Sequence, residues 1–452
     1  MALGFLLFRS APLFALSVRQ RRRVLVADLI STAVFPLAIT GATAIVPDVT
    51  MRLPGADALG PWIVLAYNGL FAAALLLAGA TADRSARTRF FVAGNLVVAV
   101  TGVLSALAPD LLSLVALRAV AGVGAAMCAA GGSSMLLAVY PPEERRRVYG
   151  YAGAVLGSSL ALGPVVAQVL MAAGGWPLVF LAPATVAAIA ALATLGLPGL
   201  RSPEVPDGFD LAGAVLFGVT IAAAVTALGL GSGAPWWGPA VLVLVAVAGA
   251  VGLVRVERRA ADPAIPVDLL RIPAYRAYAL ATGAFMGMLV VGLTALPQLG
   301  AAQRMGSGEA AVMLSLLTVP STVLPLLAVR LARRGARALV TATLFACTVT
   351  ALVLQVTDHP AALLAAAGVV GVCLGLTEGV PDGQALKYVP YQRGGAGAAL
   401  FSTARMSLET LTLAAATGVM AALGPASGMA VAGAMCLVAG VVVHRTVPSR
   451  DT

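Results

Sequence analysis

The sequence predicts an all-α integral membrane protein of about fourteen spans, and composition, the spacing of apolar runs and the placement of basic residues carry that prediction. Of 452 residues, 60% are hydrophobic and only 11% are charged, with a mean hydropathy of +0.97. A globular domain carries about 25% charged residues, and helices with one wet face cannot hold so many apolar positions. A cytosolic enzyme, a disordered protein and a disulfide-stapled secreted domain are thereby excluded. At ~20 residues per span, fourteen spans leave roughly 11 residues per connection, too few for a second domain.

Residues 1–23 hold a short apolar stretch containing Arg9, followed by Arg19 and Arg21 to Arg23. A signal peptide has the opposite order, so this segment is expected to be cytoplasmic or interfacial, or to reflect a start placed too early. Hydrophobic runs follow at 24–46, 60–80, 89–108, 111–139, 149–172, 176–199, 210–231, 238–256, 277–298, 309–330, 338–357, 361–381, 396–423 and 427–444. Each is long enough to cross as a helix. Barrel strands would alternate with period two over about ten residues, and open sheets do not span; neither pattern is present. The longest inner connection, Glu257 to Arg276, contains Asp262-Pro263 and Ile265-Pro266 and is expected along the membrane surface.

Positive charge orients the runs. With the N-terminus inside, 25 of the 29 Lys and Arg fall on the cytoplasmic side, Arg52 and Arg304 fall outside, and Arg118 and Arg405 lie within spans. An even number of spans with both termini cytoplasmic follows. The net charge of +10 is then a topology signal facing anionic lipid, and no nucleic-acid partner is needed. Cys128, Cys347, Cys373 and Cys436 all sit in apolar runs and read as small core residues. Two separated histidines offer no metal site, and no Gly-x-x-x-x-Gly-Lys-Ser/Thr loop is present for a nucleotide. No cofactor is implied.

The loop after the second run reads Gly79-Ala80-Thr81-Ala82-Asp83-Arg84-Ser85-Ala86-Arg87-Thr88-Arg89. It resembles the Gly-x-Leu-Ala-Asp-Arg-x-Gly-Arg-Lys loop between the second and third helices of the major facilitator superfamily, with Thr81 for Leu and Ala86 for the second Gly. Leu117-Arg118 followed by Gly122 and Gly124 resembles that superfamily's buried-arginine motif. Gly153, Gly157, Gly163 and Pro164 resemble its antiporter-associated helix-packing motif, although Ala167-Gln168 replaces the terminal glycine pair. Trp176 with Phe180, Phe209-Asp210, and Asp262-Pro263 before Leu269 and Leu270 are similar to the fourteen-helix drug:proton antiporter branch.

That resemblance implies a cytoplasmic or interfacial segment 1–23, a six-helix bundle over 24–199, inserted helices 7 and 8 over 200–258, a loop 259–276, a second bundle over 277–444 and a tail 445–452. Each bundle would be built from inverted three-helix repeats, with a substrate path between the bundles opened alternately to each side. The segment Arg330 to Arg337 looks like a decayed copy of the Asp83 loop, with Arg333 in the acidic position. By resemblance, Asp83 gates the inner side together with Arg84 and Arg87; the bland alternative is a solvated charge at a helix end.

Ionisable residues inside spans are costly and mark function by default. Arg118 reads either as a structural arginine or as a switch in proton coupling. The branch usually carries an acid in the first helix, at the position of Ala38 here; the acid in this helix is Asp28, about one turn from the inner surface. Asp28 reads as a snorkelling charge or a coupling group. Glu378 and Asp382 are spaced i to i+4, as are Arg405 and Glu409, so each pair is expected on one helix face. Glu378 and Glu409 are the expected carriers of coupling or of a cationic or hydrogen-bonding substrate, since carboxyls in low-dielectric sites load and release protons near neutral pH. Asn68, Tyr67, Asn95 and Gln168 are cavity candidates or interhelical glue.

These readings converge on a secondary transporter, acting as a monomer in a bacterial inner membrane, that exports an amphipathic drug or natural product in exchange for protons. A flippase or importer is the alternative within transport. A non-transporting intramembrane enzyme or sensor for a lipophilic ligand is the alternative outside it.

Overall fold

The computed structural model describes residues 10–11, 16–200, 210–230, 235, 237–257, 269–357, 359–377, 379–389 and 394–448. The chain falls into two compact units, Met1–Val219 with Leu253–Ala264 and Thr220–Gly252 with Ile265–Thr452.

The N-terminal unit begins with α1 (Val18–Thr32), whose first turn is closed by a capping box between Ser17 and Gln20. A one-residue break at Ala33 leads into α2 (Val34–Arg52), and the two together form one 35-residue crossing. Then come α3 (Trp62–Arg84), α4 (Arg87–Ala106) and α5 (Leu111–Val139). Asp110 caps α5 by accepting the Ser113 backbone N–H at 2.7 Å, satisfying a donor that the helix start leaves open. α6 (Pro142–Gly174) and α7 (Trp176–Ala193) meet at Gly175, whose φ of +81° is a conformation that favours glycine.

Short apolar residues let these helices approach closely. Gly131 of α5 leaves only 2.9 Å between an added Cβ and the Phe91 backbone on α4, the kind of contact that replaces hydrophobic driving force within a bilayer. Near the start of α1, Val24, Phe91, Met135, Leu136, Tyr140 and Leu197 form one buried cluster. Arg23 of α1 closes it by donating to the carbonyls of Ala193 and Leu195 at the end of α7. Ser10–Ala11 pair in parallel with Gly199–Leu200 as two very short strands, a small departure from the all-α expectation.

Helices α8 (Leu211–Gly229) and α9 (Trp237–Glu257) follow, and two of the three boundaries between the units fall within them. The C-terminal unit is organised around α10 (Pro273–Ala302), which is buried along nearly its whole length. α11 (Ser307–Thr318), α12 (Pro320–Val323) and α13 (Pro325–Val353) come next. They are succeeded by α14 (Pro360–Thr377), α15 (Val380–Lys387), α16 (Gly394–Leu423) and α17 (Pro425–Thr446). Gly424, at φ +88°, joins α16 to α17 as Gly175 joins α6 to α7.

Among the described residues, twelve helices are long and apolar enough to cross a membrane, or thirteen when a bent pair in α6 counts as one span. Twelve of the fourteen runs thus meet the length and apolarity of a crossing, and two do not as single helices. The fifth bends by 48° between Leu160 and Leu162. Pro164 explains the bend: it lacks an N–H, and its ring crowds the carbonyl four residues earlier. The tenth is cut into α11, α12 and the start of α13, with Pro320 and Pro325 opening the later pieces. The expected Arg330–Arg337 loop is helical on both sides of Gly335, whose extended backbone kinks α13 there.

Candidate functional site

In the N-terminal unit, Arg118 is 3% exposed. It stands on α5 one turn before Gly122, where an added Cβ would run into the Tyr67 carbonyl, so α5 lies directly on the α3 backbone. Its Nε donates to the Ile63 carbonyl at 2.9 Å, and an Nη donates to the Ala38 carbonyl at 2.9 Å. The Tyr67 ring centroid lies 4.2 Å from Cζ and the Phe180 centroid 5.7 Å. Arg118, Tyr67, Ser105, Ala38 and Phe180 line one cavity. Among the described residues, no carboxylate oxygen lies within 4.0 Å of Arg118.

Asp28 is buried rather than snorkelling, at 6% exposure. Gly132 of α5 makes room for it, since a Cβ there would collide with its carboxyl oxygen. Nearby, Ser31 donates to Asn95 at 3.0 Å, and Asn95 donates to the Phe91 carbonyl at 2.9 Å. Asn95 therefore acts as glue between α1 and α4. Asn68 is buried with neither polar atom partnered. Gln168 is exposed, on α6 beyond the bend.

The C-terminal unit carries the second charged cavity, lined by Thr282, Phe285, Met286, Thr377, Asp382 and Arg405. The Thr282 hydroxyl donates to the Tyr278 carbonyl at 3.2 Å. Glu409, one turn along α16 from Arg405, is 4% exposed, yet no oxygen of Glu409 or Asp382 comes within 4.0 Å of the guanidinium. Arg405 Nε is buried without a partner. The local Arg405–Glu409 ion pair allowed by their spacing is not made; the two carboxyls flank the cation at a distance.

Glu378 lies outside the described residues. α14 stops at Thr377, and Gly379, at φ +72°, precedes α15. Sequence reading missed Thr282, which differs in no visible way from the other span threonines that bond their own i−4 carbonyl. It also missed that Cys436 of α17 donates to the Ala284 carbonyl of α10 at 3.7 Å.

With this geometry in view, the comparison with known proteins is direct: the profile described as Major Facilitator Superfamily matches residues 29–407. The chain belongs to the Major Facilitator Superfamily. It is 32% identical over 258 residues to the puromycin resistance protein pur8 of Streptomyces alboniger, covering 56% of this chain and 48% of that one. It is 27% identical over 378 residues to the multidrug resistance protein Stp of Mycobacterium tuberculosis, covering 81% and 70%. A methylenomycin A resistance protein of Streptomyces coelicolor is 30% identical over 217 residues, covering 47% and 46%. The chain spans about half the length of the first of these curated relatives.

The superfamily's loop motif closes α3 and opens α4. The Asp83 side chain lies outside the described residues; Arg84 is exposed, and Arg87 donates to the Ser134 carbonyl on α5 at 3.3 Å. In the helix-packing motif, Gly163 meets Thr40 of α2 so closely that a Cβ would strike its hydroxyl, whereas a Cβ at Gly153 would meet nothing within 4 Å. Gly157 and Pro164 are buried. The packing role therefore falls on Gly163, with Gly153 left open.

Proposed function

We propose that this protein is a secondary active transporter that exports an amphipathic small molecule in exchange for protons by alternating access, from a bacterial inner membrane with both termini cytoplasmic. Membership of the superfamily supports the transport reading. Relatives named for puromycin, methylenomycin A and multidrug resistance support a drug or natural product as cargo. The working division is the one implied by the motif resemblance: six-helix bundles over 24–199 and 277–444, with 200–258 inserted between them, acting as a monomer.

The observation that carries the coupling proposal is the set of Glu409, Asp382 and Arg405 in the C-terminal unit. Glu409 is buried and Asp382 and Arg405 are half-buried, and neither carboxyl is within 4.0 Å of the guanidinium, so two carboxyls share one cation without a contact ion pair. A lone charge at that depth is costly. A carboxyl there is satisfied alternately by a proton or by a cationic group, so loading one displaces the other. That exchange is the elementary requirement of antiport. Phe285 and Met286 give the same cavity an apolar wall, which suits an amphipathic ligand.

The test is efflux of puromycin as probe from proteoliposomes under an imposed pH gradient. One proton per cargo and one unit of gradient sustain about a tenfold concentration ratio, because one pH unit is ~1.4 kcal/mol. Glu409→Gln is expected to abolish the response to the gradient while leaving passive exchange, and Glu378→Gln examines the neighbouring carboxyl in the same assay. Undiminished, gradient-dependent efflux by Glu409→Gln overturns its role.

A further inference from the structure

We propose that the cavity inside the N-terminal unit is a seat for a small monovalent anion, a halide or a carboxylate group, held by Arg118. The argument starts from charge. Arg118 is a full cation buried in the middle of a helical bundle, and such a charge must be matched or hydrated. Its visible partners are two backbone carbonyls and two aromatic faces, which offer partial charges only. The acids nearest along the helices do not reach it. Asp110 begins α5 eight residues earlier, roughly 12 Å along the axis at ~1.5 Å per residue, and Asp28 is buried against Gly132, fourteen residues further along α5. The described part of the unit therefore supplies no negative partner.

Donors make the same point. A guanidinium has five N–H groups in a planar fork. Nε and one Nη serve the Ile63 and Ala38 carbonyls, and the remaining donors belong to a side chain that lines the cavity. Beside it, the Tyr67 hydroxyl is buried without a partner, and Ser105 is a third polar residue in the same wall. A cation with spare donors and two hydroxyls, enclosed by Ala38, Val98, Ala121 and Phe180, is the chemistry of an anion site: charge-assisted N–H and O–H donors on one side, a dry wall on the other. The chemistry suits a single small ion or the head of a carboxylate, seated in the cavity that Arg118 lines beside the Tyr67 hydroxyl.

Thermal unfolding of the full chain, purified in detergent, tests this without any flux. Its failure would leave the export proposal standing, and a failure of export would leave this one standing. Unfolding is followed in sodium chloride, sodium acetate and sodium gluconate at equal ionic strength, gluconate being too bulky for the site. A saturable rise in midpoint is expected over gluconate, since an anion that binds only the folded state stabilises it by mass action. A response to chloride alone assigns an inorganic ion, one to acetate alone assigns the carboxylate of a ligand, and one to both assigns the shared chemistry. Ala38→Asp places a carboxyl in the cavity wall and is expected to remove the response in a protein that still folds; Arg118→Met should remove it as well. No response in the unaltered protein, or an undiminished response in Ala38→Asp, overturns the proposal.

Discussion

Gly287 of α10 faces Thr412 of α16, and replacing it with alanine is a graded probe of how tightly the helix carrying Glu409 is held. An added Cβ would lie 2.8 Å from both Cβ and Cγ2 of Thr412 and 3.1 Å from its Oγ1. Ordinary carbon contacts begin near 3.5 Å, so one helix must yield by about 0.7 Å. Thr412 cannot swing aside cheaply: its β-branch is stiff at χ1, and its hydroxyl is tied to the Leu408 carbonyl at 2.7 Å. Overpacking of this kind costs ~1–3 kcal/mol, offset by up to ~1 kcal/mol because alanine is the better helix former. A net loss of ~1–2 kcal/mol is expected, together with weaker pH-gradient-driven efflux as Glu409 shifts with α16. Gly368→Ala, where a Cβ meets nothing within 4 Å, is the matched control and should gain stability. The assay is the unfolding midpoint of the purified variants, with Thr412→Ala added to Gly287→Ala to close a double-mutant cycle. Equal midpoints for Gly287→Ala and Gly368→Ala, or no recovery in the double variant, would refute the reasoning.

Two further outcomes follow from the N-terminal unit. Asp83→Asn is expected to lower efflux with the unfolding midpoint unchanged; normal efflux would remove Asp83 from any gating role. Pro164→Ala restores an N–H and relieves the crowding behind the 48° bend of α6, so it should raise stability by up to ~3 kcal/mol while slowing efflux, and a lowered midpoint would show that the bend has another cause.

Much of this architecture was legible because a span writes itself in hydropathy. The run 176–199 became α7, and the run 427–444 became α17. Hydropathy is blind to a missing N–H, however, so the run 309–330 looked continuous although Pro320 and Pro325 divide it. The same blindness hid the positive φ of Gly379 between α14 and α15. Spacing did put Arg405 and Glu409 on neighbouring turns of one helix. It could not show that they stay apart, which depends on the room α10 and α14 leave around them. The partners of Arg118 were illegible for a different reason: they are backbone carbonyls 55 and 80 residues away in sequence, and every residue type has a carbonyl. Burial of Asp28 depended on Gly132, a glycine with no motif to mark it.

The interrupted fifth and tenth runs carry a consequence for the arithmetic of sidedness. A polytopic chain alternates faces at every crossing, so the position of any loop depends only on whether the number of crossings before it is odd or even. α6 contains one bend, and the stretch from α11 into α13 contains two proline breaks and a kink; both fall short of a straight apolar helix. A count that drops one of them transposes every loop after it, exchanging inner arginines for outer ones. A count that drops both restores the parity at the C-terminus but leaves everything from α7 to α11 inverted, including the insertion. The two irregular segments thus bracket the stretch of sequence in which a topology inferred from hydropathy alone is most easily turned inside out.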